Sequence, residues 1–129
     1  MRSPYTPLII LSTQQLGIDK FINHTNHITL VSSLDLAKKP YLIAQGVYDG
    51  HSEMSIILEN NPENELIAME IANQFDQECI LLTDNEGTGI LKYLDGRDTV
   101  KLGSINVSGK KPDGDYTYVG NTGEYITFK

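Results

Sequence analysis

After Phe75 the chain shows strand character only, and no other feature constrains its fold so strongly. Cys79-Ile-Leu-Leu82 is an apolar strand, Asp84-Asn-Glu-Gly87 a turn, and Gly89 to Leu94 the hairpin partner, closed by Asp95-Gly96. Val100 to Val107, Tyr116 to Val119 and Tyr125 to Phe128 follow as strands, separated by Gly, Asp, Asn and Pro. Helices are therefore confined to the first part. The clearest runs from Pro62 to about Phe75: Asn61 caps it, Pro62 suits its first position, and Glu63 and Glu65 meet the positive end of its dipole. Ala68, Ile71, Ala72 and Phe75 form its apolar face. A second spans about His24 to Ala37, where His27, Leu30, Val31 and Leu34 recur at helical spacing before Pro40. Leu8 to Ser12, Tyr41 to Tyr48 and Met54 to Leu58 read as strands. The order predicts an α+β fold, a ferredoxin-like β-α-β-β-α-β sheet with additional C-terminal strands and both helices on one face. Its other face needs a cover, and a subunit partner is the economical one.

With 129 residues, 40% of them hydrophobic and 21% charged, the chain reads as one domain over residues 1–129. No apolar run approaches the roughly 20 residues of a membrane helix. The stretch MRSPYTPLIILSTQQ has too short an apolar core for a signal peptide, so a cytoplasmic protein is expected. The single Cys79 allows no internal disulfide and excludes cysteine-built metal clusters. A net charge of −7 argues against nucleic-acid binding, which needs a basic face; it suits a cationic ligand through steering, but keeping the protein in solution is the preferred account of it.

The candidate chemistry sits in Gly46-Val-Tyr-Asp-Gly-His-Ser-Glu53. Asp49-Gly50 suffices for a two-residue hairpin turn. Tyr48, Asp49, His51 and Glu53 around it are either an exposed tip or the wall of a site, with Tyr48 and Glu53 able to converge across the turn. Elsewhere the plain readings are preferred. His24 and His27 are three apart but lack a third ligand, so no metal site is expected. Gly87-Thr-Gly89 lacks the Lys and following helix of a phosphate loop and reads as a hairpin turn. Cys79 lies in an apolar strand, where inert packing is expected.

The span Ser52 to Tyr93, SEMSIILENNPENELIAMEIANQFDQECILLTDNEGTGILKY, resembles the S-adenosylmethionine hydrolases of coliphages, a family that includes S-adenosylmethionine lyases. Its marks are the acidic residue opening a strand, the Ala-containing helix from Leu66 to Asn73, Phe75-Asp-Gln-Glu-Cys-Ile-Leu-Leu82, and the hairpin ending Gly89-Ile-Leu-Lys-Tyr93. Fainter similarity reaches His27-Ile-Thr-Leu-Val31, Gly46-Val-Tyr48 and Leu102-Gly-Ser104. The resemblance implies a fold similar to the trimeric nitrogen-regulatory signalling proteins, a homotrimer with active sites between subunits, and no cofactor. It puts a catalytic tyrosine on Tyr48 and a catalytic glutamate on Glu53. The segment between them is shorter than in the coliphage enzyme, which leaves Asp49 as the alternative carboxylate; Glu86 is a further substrate contact.

The activity so implied is breakdown of S-adenosylmethionine to methylthioadenosine with either homoserine lactone (lyase) or homoserine (hydrolase). The setting would be a phage anti-restriction activity in the host cytoplasm. Two other readings stand beside it. One is a non-catalytic trimeric module binding S-adenosylmethionine or an adenine nucleotide. The other is an acidic mimic of DNA, against which the scattered placement of the acids speaks.

Overall fold

The computed structural model describes residues 7–14 and 19–129. Part of the N-terminal stretch read for a leader, and most of the polar run up to Gly17, lie outside these residues. Eight strands and two helices follow in the order β1 (Leu8–Leu11), α1 (Lys20–Leu36), β2 (Leu42–Tyr48), β3 (His51–Glu59), α2 (Pro62–Gln74), β4 (Cys79–Thr83), β5 (Thr88–Tyr93), β6 (Val100–Ser108), β7 (Tyr116–Val119) and β8 (Glu124–Phe128).

Local chemistry accounts for the boundaries. Asn61 accepts from the Asn64 amide ahead of Pro62, as its position predicts. Helix α1 starts earlier than its apolar stripe suggests, because Asp19 accepts from the Phe21 amide and caps it at Lys20. Lys38 and Asp76, just past the two helices, take left-handed backbone angles that turn the chain away.

The expected open sheet is not what forms. All eight strands join in one closed antiparallel barrel, β1-β3-β2-β7-β8-β6-β5-β4, with β4 returning to β1. The ferredoxin-like assignment is therefore corrected, and with it the likeness to nitrogen-regulatory proteins. The reason lies in the strands taken as additions. β7 pairs with β2 and β5 pairs with β4, so both edges of the β4-β1-β3-β2 segment are consumed. A register break between Gly89 and Ile90 helps β5 and β6 bend around the closure.

Closure gives the sheet an outside and an inside, and strand alternation sorts residues between them. Ile9, Leu11, Ile56, Leu58, Ile80 and Leu82 point outward and are buried beneath Leu30 and Leu34 of α1 and Ala68 and Ala72 of α2. Their neighbours Ile10, Ala44, Ile57, Val119 and Ile126 point inward and form a second core. The face expected to need a subunit partner is thus the barrel lumen, covered by the chain's own later strands.

Candidate active site

The described residues leave the lumen at the end of the β2–β3 hairpin unfilled. Asp49 and Gly50 both have positive φ, 51° and 76°, and make the tight turn their sequence predicts. Tyr48 then pairs with His51, which fixes Gly46 opposite Glu53 and Ala44 opposite Ser55. Alternation turns Gly46, Tyr48, Glu53 and Ser55 into the barrel. Glu53 is the third residue of β3, which starts at His51, three residues before the apolar run from Met54.

Gly46 is the seat of the site. A Cβ there would overlap the Tyr48 ring, so only glycine lets that ring lean back over its own strand. On the other side of β2, Gly46 pairs with Thr117. The phenol oxygen of Tyr48 accordingly reaches Thr117 Oγ1 at 2.6 Å, a bond in which either hydroxyl can donate. Thr117, only 2% exposed, is held in place by the barrel.

Two hollows meet at this ring and share Tyr48, Leu81 and Leu91 as walls. One, of about 210 Å³, is lined by polar groups including Ser12, Glu53, Ser55, Gln77 and Cys79. Its wall is braced by hydrogen bonds: Ser12 Oγ donates to the Met54 carbonyl at 2.9 Å, and Gln77 Nε2 to the Gln14 carbonyl at 3.0 Å. The other, of about 280 Å³, is walled by Tyr48, leucines and Phe128, with Asp115, Thr117 and Thr127 as its polar members; apolar surface predominates in both hollows. Neither alone reaches the roughly 300–1,000 Å³ typical of small-molecule sites, and the two side by side do.

Burial pushes the Glu53 carboxyl above the usual carboxylate range. It also raises the Tyr48 phenol; the Thr117 hydrogen bond opposes this, and the negative charges of Glu53 and Asp115 add to it. At neutral pH the phenol therefore keeps its proton and is available as a donor. The Cys79 thiol is likewise pushed up, chiefly by burial, so no reactive thiolate stands in the cleft.

Tyr48 and Glu53 are thus brought together, and the other two sequence-predicted residues are not. Asp49 is exposed in the turn; its backbone N–H donates to Asp115 Oδ1 at 2.8 Å, while its own carboxylate lines neither hollow. Glu86 is exposed in the β4–β5 turn, at the opposite end of β4 from Cys79. That turn is organised by Asp84, which accepts from the amides of Glu86 and Thr88. His27 is a buried residue of α1, with its pKa lowered by burial and by nearby His24. Among the described residues, no three His, Cys, Asp or Glu side chains gather as a metal set, and no helix is long and apolar enough to cross a membrane.

Sequence reasoning missed Thr117, Ser12, Gln77 and Phe128. Thr117 is 69 residues from Tyr48, and only barrel closure joins them. Gly46 did carry a signal, since a glycine inside a strand marks a close approach.

Fold and cleft together define the class of an eight-stranded closed antiparallel barrel with a cleft in its lumen. The S-Adenosylmethionine lyase family model matches residues 9–129, nearly the whole chain, and the protein belongs to that family. No curated protein matches the chain. Breakdown of S-adenosylmethionine is the general activity that this membership carries.

Proposed function

We propose that the protein is a lyase that converts S-adenosylmethionine to 5′-methylthioadenosine and L-homoserine lactone, with Tyr48 and Glu53 as its catalytic residues. The observation that carries this reading is the convergence of a protonated phenol and a half-buried carboxylate on one lumenal cleft, across Gly46. The substrate contains both its nucleophile and its leaving group. A carboxylate oxygen attacks Cγ, the Cγ–S bond breaks, and its electron pair neutralises the sulfonium, leaving a thioether and a lactone. No external proton or cofactor is required. Holding the flexible chain in an attack-ready bend can supply roughly 7–11 kcal/mol in favourable intramolecular cases.

The electrostatic sign assigns the roles. Cyclisation annihilates a negative and a positive charge, so a fixed anion beside the sulfonium would favour the ground state and slow the step. Glu53 therefore serves by holding the substrate's α-ammonium, away from the sulfur. Tyr48 donates to the substrate carboxylate and aims it at Cγ. A half-buried cleft favours loss of charge.

Asp49 and Glu86 do not line the cleft of one chain, so as substrate contacts they act in a neighbouring copy, within a homotrimer whose sites lie between subunits. In the host cytoplasm such a phage enzyme would deplete the methyl donor and disable restriction systems that depend on it.

The test is incubation of purified protein with S-adenosylmethionine, following methylthioadenosine by chromatography. Tyr48→Phe and Glu53→Gln should each lower kcat/KM by on the order of 10²-fold. Full activity in both variants would refute the site. Solvent oxygen appearing at Cγ of the first product formed in labelled water would replace the lyase by a hydrolase, with Glu53 as general base. Binding with no methylthioadenosine would leave only a sensor module. Glu86→Gln should also lose activity, and mixing it with Tyr48→Phe should raise turnover above that of either variant alone where sites are shared; no rise rejects the shared site.

A further inference from the structure

The larger hollow repeats, on its other wall, the device that seats Tyr48. A Cβ at Gly89 would overlap the ring of Phe128, as one at Gly46 would overlap the ring of Tyr48. Gly89 is on β5 and Phe128 on β8, with β6 between them, so this ring bridges strands that the register break has bent. Both rings line the same cavity of about 280 Å³. Two aromatic side chains, each given space by a missing Cβ, thus border one hollow with Leu81, Leu91 and Leu102. At its edge stands Asp115, anchored by the Asp49 amide, a carboxylate suited to accept from vicinal sugar hydroxyls.

We propose that this hollow is a purine-nucleoside subsite in which Phe128 is the stacking surface that selects the nucleobase. The inference rests on the reading of the cleft as an S-adenosylmethionine site and gives it a direction. The zwitterionic amino-acid end enters the smaller hollow, its ammonium toward Glu53. The uncharged, flat base enters the larger one. The sulfonium is then left beside Tyr48, where the two hollows meet. A base stacked on an aromatic face is recognised by its π surface as well as its edges. An aliphatic side chain of similar bulk would fill the wall without supplying that surface.

The probe is 5′-methylthioadenosine, titrated calorimetrically into wild-type protein and into Phe128→Leu and Phe128→Tyr. Stacking predicts a loss of roughly ten-fold or more in affinity for the leucine variant, and near-wild-type affinity for the tyrosine variant. KM for S-adenosylmethionine should rise in Phe128→Leu by more than kcat falls. A ligand-side comparison needs no variant: a dimethylsulfonium amino acid without a nucleobase should bind wild-type protein at least ten-fold more weakly than S-adenosylmethionine. Equal affinity of wild-type and Phe128→Leu for methylthioadenosine, or equal binding of the base-free sulfonium, overturns the subsite. If S-adenosylmethionine is turned over while methylthioadenosine ignores Phe128, the subsite fails and the reaction stands. If methylthioadenosine binds through Phe128 and no turnover occurs, the subsite stands and the reaction fails.

Discussion

Replacing Gly46 with alanine adds one methyl group and should both destabilise the barrel and silence the cleft. The new Cβ would overlap Cε2 of Tyr48 and lie 3.0 Å from Cζ and 3.1 Å from the phenol oxygen. The backbone cannot back away, because Gly46 is paired to Glu53 on one side and Thr117 on the other. Two effects compete. Alanine in a strand interior gains about 0.5–1 kcal/mol over glycine from the smaller entropy loss on folding. Overpacking costs about 1–3 kcal/mol. A ring that swings aside escapes the clash but forfeits the Thr117 bond, worth about 0.5–1.5 kcal/mol. With the ring held in place the penalty wins, for a net loss of up to about 2.5 kcal/mol in denaturant unfolding; with the ring swung aside the loss is at most about 1 kcal/mol. Displacing the phenol should lower kcat/KM by on the order of 10²-fold. The decisive control is the same substitution in a Tyr48→Ala background. With no ring to strike, Gly46→Ala should be neutral or stabilising by about 0.5–1 kcal/mol. An equal cost in both backgrounds would refute the ring-over-glycine account.

The shifted groups make two further predictions. Glu53 must be ionised to hold an ammonium and its carboxyl titrates above the usual range, so kcat/KM should climb with pH along a limb displaced upward. Glu53→Gln should remove that limb, and a limb that persists excludes Glu53 as its source. His27 is 4% exposed, its Nδ1 has no hydrogen-bond partner among the described residues, and burial holds its pKa below that of the unfolded chain. Its contribution is therefore intact above the unfolded value of about 6.5 and is lost as pH falls below it, since the unfolded state binds the proton first. Glu53 works in the opposite sense, because a raised carboxyl pKa favours the folded state as pH falls. His27→Leu should flatten the His27 loss when stability is compared between about pH 5 and 7.5, and an unchanged slope rejects the assignment.

Local features of the chain were legible from the sequence, and its closure was not. The cap and proline at Asn61-Pro62, the Asp49-Gly50 turn and the strand at Tyr116–Val119 follow from nearest-neighbour chemistry, and the structure has all three. The pairing of β7 with β2 depends on residues far apart, and strand alternation alone does not say whether a sheet stays open. The same limit applies within the cleft. Tyr48 and Glu53 share a hairpin and were visible together. Thr117, which holds the phenol, belongs to a strand that nothing near Tyr48 announces. Cys79 looked like packing because its strand is apolar, yet its alternate position turns it toward Glu53's hollow.

Barrel closure also governs when a working site can exist during folding. The β2–β3 and β4–β5 hairpins join near neighbours and can form early, whereas Tyr48 waits for Thr117 across a long stretch of chain. Until the ring of strands shuts, the molecule is a curved sheet with bare margins, prone to pairing with other chains. Recovery of turnover on refolding should therefore trail the return of secondary structure and coincide with the disappearance of those margins.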